Sequence, residues 1–435
     1  MALKLYQSKI IIWLLVALPG LCALAWVTPA DFSTPGAILN MLGRLTGIWG
    51  LACLLVAAIL CCRVPGFDQP FGGLTRLWKL HHRIGGSGFL LLLAHPLLLA
   101  LAAAEVSIDA AIYTLFSSQW PVLWGWVALL VLMLVMAPTF HVLGEPNYQR
   151  WKQMHRLAAI SVVFALMHSL MLGRSLPGIS GEVIWIFFMV MALSAMGYRW
   201  LISRYCCRYP YQVSKIKHLS EATVELSLQP LKNQLHYRAG QFVYLTPDAP
   251  ELSAGNGEEH PYTLSSAPSE PGLRIAIKSL GDASRALQNI AVGSQVTIEG
   301  PYGRFFPATA PQTNSLWIAG GIGIVPFLSY LRHCTGQNEH LNIKLIYCVQ
   351  DEAHLMFGDE LRQLASTLQG CHFIPHFFYR DGPLDAKFIE QHCPDFSSRQ
   401  LWICGPAPLI ARSRQIVPRA GVASSDIITE EFTLL

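Results

Sequence analysis

Apolar residues gather into long runs in the first half of the chain and into short alternating ones in the second. Six runs, at approximately 10–28, 42–62, 83–104, 121–140, 156–173 and 183–202, carry few charges. They approach the roughly 20 residues a helix needs to cross a bilayer. The first, "IIWLLVALPGLCALAWV", is long and is followed by more spans, so it predicts a retained helix rather than a cleaved signal. From about Tyr209 come alternating stretches such as "YQVSKIKHL", "ATVELSL" and "QFVYLTP", separated by Pro, Gly and Asn. They predict an antiparallel barrel or sandwich. "EEHPYTLSSAP" (258–268) interrupts the pattern, followed by "LRIAIKSLGDAS" (273–284) and "VTIEGPYGRF" (296–305). From Ser315, strand, glycine turn and helix succeed one another in "LWIAGGIGIVPFLSYL", then "KLIYCVQD" and "LWICGPAPLI". That order predicts a parallel, doubly wound sheet.

Cations orient the six-span prediction. Lys4, Lys9, Arg63, Arg76, Lys79, Arg83, Arg150, Lys152, Arg156, Arg199, Arg204 and Arg208 fall on one side, and only Arg44 and Arg174 near the other. The lysine- and arginine-rich side is normally cytoplasmic, so both termini and everything after the sixth span are expected there. Composition adds bounds. The 435 residues have room for two or three domains, and a net charge of +4 does not suggest nucleic acid. The eleven cysteines, including the pairs Cys61–Cys62 and Cys206–Cys207, show neither a CxxC nor a zinc spacing and are expected to be reduced structural thiols.

Histidines change the picture most. "WKLHHRIGGSGFLLLLAHP" (78–96) and "WKQMHRLAAISVVFALMHSLML" (151–172) each carry a histidine near one end of an apolar run and another near the far end. Ionisable side chains inside a membrane are costly and mark function by default. His81 and His95 are 14 residues apart, which returns to within ~40° of the same helix face. His155 and His168 are 13 apart, a poorer match that a local bend would absorb. Either spacing rises about 20 Å, room for two haem planes, one per leaflet. Bis-histidine ligation suits a haem that passes electrons and needs no open iron position. His82 is the alternative inner ligand. The plainer alternative is that these histidines cap helices or meet lipid head groups. Gly85, Gly86, Gly88, Gly43, Gly47 and Gly50 either make room for something bulky or pack helices closely. Arg44 either pairs with propionates of an outer haem or snorkels to water.

With these motifs in hand, the whole chain resembles the NADPH oxidase/ferric reductase superfamily in its short bacterial form. "HPYTLSSAP" is similar to that family's flavin motif. The resemblance implies that His260, Pro261, Tyr262, Thr263, Leu264 and Ser265 bind FAD, with Tyr262 against the ring system and Thr263 near its reactive edge. "IKSLGDAS" resembles the second flavin segment, implying Ile277, Lys278, Gly281 and Ser284 near the pyrophosphate. "EGPYGRF" matches the turn that closes the flavin domain. "AGGIGIVPFLSYL" resembles the nicotinamide loop, whose Gly320, Gly321 and Gly323 let the backbone approach a dinucleotide. "CGP" resembles the strand end whose Cys404 lies beside the nicotinamide ring, which implies that Cys404, Gly405 and Pro406 bind the cofactor. "EEF" resembles the C-terminal segment in which Phe432 would cover the flavin. "GDAS" lacks the family's usual aromatic. After "LIYCV" come Asp351 and Glu352 rather than a basic cluster, which leans the reading towards NADH over NADPH.

The implied architecture is a six-helix transmembrane dihaem domain (1–207), an antiparallel β-barrel FAD domain (208–308) and an α/β doubly wound NAD(P) domain (309–435). The implied function is multi-pass electron transfer at the plasma (inner) membrane, with the FAD and nicotinamide domains cytoplasmic. Electrons from NADH or NADPH pass to FAD, with Thr263, Cys404 and Phe432 at the hydride-transfer site. They continue to two b-type haems, His81 with His155 and His95 with His168. The acceptor on the outer face is oxygen, giving superoxide, or a ferric chelate. The alternative is an electron-transfer subunit serving a periplasmic redox protein. A transporter or sensor with a regulatory nucleotide module is the non-redox alternative.

Overall fold

The computed structural model describes residues 2–140, 148–172, 179–306, 314–335, 341–419, 422 and 427–431. Phe432 and Arg174 lie outside the described residues. The chain divides into two compact units, Met1–Arg204 and Tyr205–Leu435.

The first unit is helical: α1 (Ala2–Leu24), α2 (Pro35–Leu60), α3 (Leu74–Ala104), α4 (Ile108–Phe116), α5 (Trp120–Met136), α6 (Tyr148–His155), α7 (Ala158–Leu172) and α8 (Ile179–Gly197). Five helical runs are long and apolar enough to cross a membrane: Pro35–Leu60, Leu74–Ala104, Trp120–Thr139, Gln149–Leu172 and Gly181–Ile202. The first expected span holds a shorter apolar helical stretch, Ile10–Leu24. Local chemistry sets the starts. Thr34 accepts a hydrogen bond from the Ala37 amide ahead of Pro35, and Ser107 does the same for Ala110 at the head of α4.

Small residues let α2 and α3 lie close. A Cβ on Gly88 would come within 2.7 Å of Cys53 Cβ, and one on Gly50 within 2.6 Å of Leu92. Close packing of small residues is how helices associate where water supplies no hydrophobic drive. Gly43, Gly50 and Gly88 serve that packing, whereas an added Cβ on Gly86 would meet nothing within 4 Å.

In the second unit, β1 (Arg208–Ser220), β2 (Thr223–Pro230), β3 (Phe242–Asp248), β4 (His260–Thr263), β5 (Leu273–Lys278) and β6 (Gln295–Tyr302) form one sheet in the order β4-β3-β6-β1-β2-β5. Every pairing in it is antiparallel. Where the sequence predicts a barrel or sandwich, the structure has this six-stranded sheet, with its two edges touching at the Leu264–Ile275 bridge. Inward residues alternate as the pattern predicts: Val224, Leu226 and Leu228 of β2 are fully buried with Ile275 and Ile277 of β5.

The remaining strands, β7 (Ser315–Gly320), β8 (Ile343–Val349), β9 (Cys371–Phe377), β10 (Gln400–Gly405) and β11 (Ile427–Glu431), form a parallel sheet ordered β11-β10-β7-β8-β9. Trp317, Leu345, Tyr347 and Trp402 cover one face, and Ile318, Ile346 and Ile403 the other. Strand order reverses between β7 and β10. In open sheets of this kind ligands bind beyond the carboxyl ends of the strands at that reversal.

Candidate functional site

In the membrane unit the four histidines meet in two pairs. His81 on α3 faces His155 at the end of α6, ring centres 6.0 Å apart and planes at 78°. His95 on α3 faces His168 on α7 at 6.1 Å and 81°. His82 is exposed, so His81 is the one of the adjacent histidines that stands opposite His155.

Three of the rings are fixed by a neighbouring helix. His81 Nδ1 lies 2.9 Å from Ala57 O, His95 Nδ1 2.7 Å from Gly43 O, and His168 Nδ1 2.6 Å from Pro121 O. A carbonyl oxygen can only accept, so each Nδ1 carries the hydrogen and each Nε2 keeps its lone pair. This is the arrangement that orients a metal-binding imidazole. His155 is held differently. Its Nδ1 is buried without a hydrogen-bond partner among the described residues, and its ring stacks on Trp151 at 5.1 Å. Trp151 Nε1 in turn donates to Thr139 Oγ1 at 2.9 Å.

The 13-residue spacing is reconciled at the turn between α6 and α7. There the amides of Arg156, Leu157, Ala159 and Ile160 each donate to the carbonyl three residues back. Such tightened winding advances about 120° per residue rather than about 100°. It rotates His168 towards the face His155 occupies.

The pairs fit haem. Two imidazoles bound through nitrogen at ~2 Å to one metal between them have ring centres about 6 Å apart, as both pairs do. Among the described residues no three His, Cys, Asp or Glu side chains gather at a metal site, so each pair offers two ligands and leaves a plane between. A cavity of about 830 Å³ opens around His95 and His168, bounded also by Asn40, Arg44, Trp126 and Trp185. Arg44 forms an ion pair with Asp31, while its Nε is buried and unpartnered among the described residues. Gly125, which the sequence reading did not single out, occupies the same place beside His168 that Gly47 occupies beside His95. Its only sequence signal is a glycine between two tryptophans.

In the second unit, β4 is an edge strand carrying the first flavin-like motif, with Pro261 where an edge tolerates a missing donor. His260 Nε2 lies 3.0 Å from Glu258. Tyr262 is partly buried and pairs with Val243, and burial pushes its phenol up. Thr263 is buried opposite Phe242, and Leu264 and Ser265 are fully buried. Ile277 belongs to the core and Lys278 points to the sheet end, its Nζ 3.9 Å from where a Cβ on Gly321 would stand. Ser284 Oγ accepts from the Leu280 and Gly281 amides. Gly281 itself has an extended φ of −162° and nothing within 4 Å of an added Cβ.

The two nicotinamide-like motifs pack on each other at the sheet reversal. A Cβ on Gly323 would collide with the Cys404 carbonyl, and one on Gly320 with Leu409 and Pro406. Gly405 lies as close, an added Cβ reaching 3.0 Å from the Gly320 amide. Gly321 has φ +53°, a conformation glycine adopts without strain. Cys404 is fully buried, and its thiol is pushed well up by burial and by nearby Glu430. It stays protonated and shapes the strand end without offering a nucleophile.

A membrane-spanning helical unit joined to these two sheets is the build of a membrane-bound oxidoreductase. Comparison with known families agrees in three segments: residues 46–166 match the ferric reductase like transmembrane component, 208–305 an FAD-binding domain, and 317–415 an oxidoreductase NAD-binding domain. The chain is a ferric reductase-like membrane domain fused to a ferredoxin-reductase-type FAD and nicotinamide module.

Similar curated proteins include the glycine betaine monooxygenase reductase subunit of Chromohalobacter salexigens. It is 27% identical over 212 residues, 45% of this chain and 56% of that protein. The toluate 1,2-dioxygenase electron transfer component of Pseudomonas putida is 27% identical, covering 52% of this chain and 67% of its own length. The chain thus spans little more than half the length of the first of these. Flavohemoglobin from Malassezia yamatoensis, a solved structure, matches with a TM-score of 0.51 and 18% identity over 93% of this chain and 98% of that one. That is a likeness of fold.

Proposed function

We propose that the protein carries electrons from NADH or NADPH through FAD and two b-type haems to an acceptor across the membrane, oxygen or a ferric chelate. The observation that carries this reading is the pair of facing imidazole sets, His81 with His155 and His95 with His168, at nearly equal separations. Bound FAD supplies the conversion of a hydride's electron pair into single electrons, and bound haem supplies their one-electron relay.

The chain's own residues set the stage for that chemistry. Gly320, Gly321 and Gly323 keep side chains out of the dinucleotide's path at the sheet reversal, beside Cys404, Gly405 and Pro406. Lys278 offers a cation for pyrophosphate. Tyr262 and Thr263 would hold the flavin, and Phe432 would cover it. Ala57, Gly43 and Pro121 orient three imidazoles through their carbonyls, and Arg44 faces the outer cavity as a counter-charge for propionates or an anionic acceptor. The cation bias of the helix ends supports a cytoplasmic nucleotide module, and the reading sets the helices in the plasma (inner) membrane.

A second reading makes the chain an electron-transfer subunit for a periplasmic redox protein. The relatives named as a reductase subunit and an electron transfer component favour it.

An anaerobic absorbance spectrum of the purified protein, before and after NADH or NADPH, tests the proposal. Sharp b-type haem bands should appear on nicotinamide addition and weaken in His95→Ala and His168→Ala. Admitting air then separates superoxide formation from reduction of a ferric chelate. Flavin absorbance without haem bands would overturn the haem assignment.

A further inference from the structure

A buried ionic network crosses from the nicotinamide-binding half of the second unit to the flavin-binding half. Arg332 lies in the helix Val325–Cys334 that follows the Gly320–Gly323 loop and is only 6% exposed. Its Nε and Nη2 donate to the Glu360 carboxylate at 2.6 and 2.8 Å. Its Nη1 donates to Glu225 Oε1 at 3.0 Å and to the Ser265 carbonyl at 2.6 Å. Glu225 also accepts from Ser265 Oγ at 2.6 Å. One turn earlier, Ser329 Oγ donates to the Ser266 carbonyl at 2.7 Å. Two adjacent carbonyls just after the His260–Leu264 stretch are therefore held by two side chains of one helix.

Stability alone is a poor account of this. Apolar residues of similar volume often hold buried surfaces together as well as a buried ion network does. What they lack is the fixed fork of a guanidinium, which donates to its partners in one register. Glu225 sits on β2, opposite Ala276 on β5, one residue from Ile277. Both flavin-side segments are thereby registered to the helix that the glycine loop begins.

We infer that Arg332, assisted by Ser329, is a positioning residue that sets the approach of the nicotinamide to the flavin. The inference rests on the reading of β4 and the glycine loop as FAD and nicotinamide sites. In the step it governs, the hydride leaves the reduced nicotinamide with its electron pair, which yields NAD(P)⁺ and reduces the flavin. Misplacement by about 1 Å costs such a step on the order of 100-fold.

Stopped-flow reduction of the flavin in the full-length protein, without air, tests this with NADH and NADPH and their 4-deuterated forms. Arg332→Lys should keep its FAD and its nicotinamide saturation within about threefold, yet slow flavin reduction ~10- to 100-fold with a larger deuterium effect. Ser329→Ala should slow it several-fold. If Arg332→Lys fails to fold, Glu360→Gln, which alters only the partly exposed partner, serves in its place. Variants that melt earlier but reduce flavin at the wild-type rate would make the network purely structural and overturn the inference. Wild-type protein whose flavin neither nicotinamide reduces would instead sink the underlying site reading, and the inference with it.

Discussion

A Cβ placed on Gly47 would lie 2.7 Å from His95 Nδ1 and 2.8 Å from Cε1, so the absence of a side chain on α2 is what admits the imidazole. The carbonyl four residues earlier, on Gly43, receives the His95 Nδ1 hydrogen. Gly125 and Pro121 repeat the arrangement around His168, with the same 2.7 and 2.8 Å approaches. Each ring is thus held by one turn of a neighbouring helix, carbonyl below and glycine above.

Gly47→Ala and Gly125→Ala should each displace a ring of the outer pair, at roughly the 1–3 kcal/mol that overpacking costs. The expected result is a fall from two haems per FAD towards one, with flavin content unchanged. Gly197→Ala, where an added Cβ meets nothing within 4 Å, should leave the ratio alone. Equal haem loss in all three would mean the glycines matter only for general folding.

The pair His81 and His155 is built with a different support. Among the described residues His155 lacks the carbonyl bond its three counterparts make, and Trp151, anchored to Thr139, stacks against it instead. Hydrogen bonds to a ligand's second nitrogen raise its basicity, so the two proposed haem sites should differ in potential. A potentiometric titration should resolve two transitions, and Trp151→Ala should move one of them. A variant that shifts both, or neither, would show that the stacking does not orient His155.

Much of this was legible in the chain because two periodicities are strong. Long apolar runs marked the spans, and strict alternation in stretches such as "ATVELSL" marked β2. The four histidines stood out because ionisable groups in apolar runs are expensive. The angular mismatch between His155 and His168 was visible, but its remedy depends on tightened hydrogen bonding at Arg156 and Leu157, which no residue type announces. Gly125 and the Arg332 network escaped for a related reason. Their partners, His168 and Glu225, are 43 and 107 residues away along the chain. Edge strands β9 and β11 are recognisable only once β8 and β10 exist to pair with them.

Nicotinamide preference should be set at the end of β8. Asp351 follows that strand, and hydrogen bonding from the His354 side chain holds its carboxyl below the usual carboxylate range. A carboxylate there accepts from a ribose hydroxyl and repels a 2′-phosphate. Because the shift is downward, the negative charge persists at every pH above the ordinary carboxylate range and is lost only as pH falls through the lowered value. NADH should therefore be preferred throughout pH 5–8 with little change. Asp351→Asn should lower the ratio of kcat/KM for NADH over NADPH by roughly 10-fold. A ratio unmoved by the substitution would place the discrimination elsewhere.

The far end of the proposed path turns on Arg44. It is a cation beside the outer cavity, bonded to Asp31 on one side and with its Nε buried and unpartnered among the described residues. A guanidinium in that position attracts anions far more than it affects a neutral diatomic, since the charge-dependent part of the attraction vanishes for oxygen. Arg44→Met should slow reduction of an anionic ferric chelate by about fivefold or more, and should weaken the salt dependence of that rate. Oxygen consumption should fall less. Haem content must be measured alongside, because loss of a propionate partner would lower both rates together. Equal slowing with intact haem would deny Arg44 any part in choosing the acceptor. Selective loss with the chelate would locate acceptor recognition at the mouth of the outer cavity.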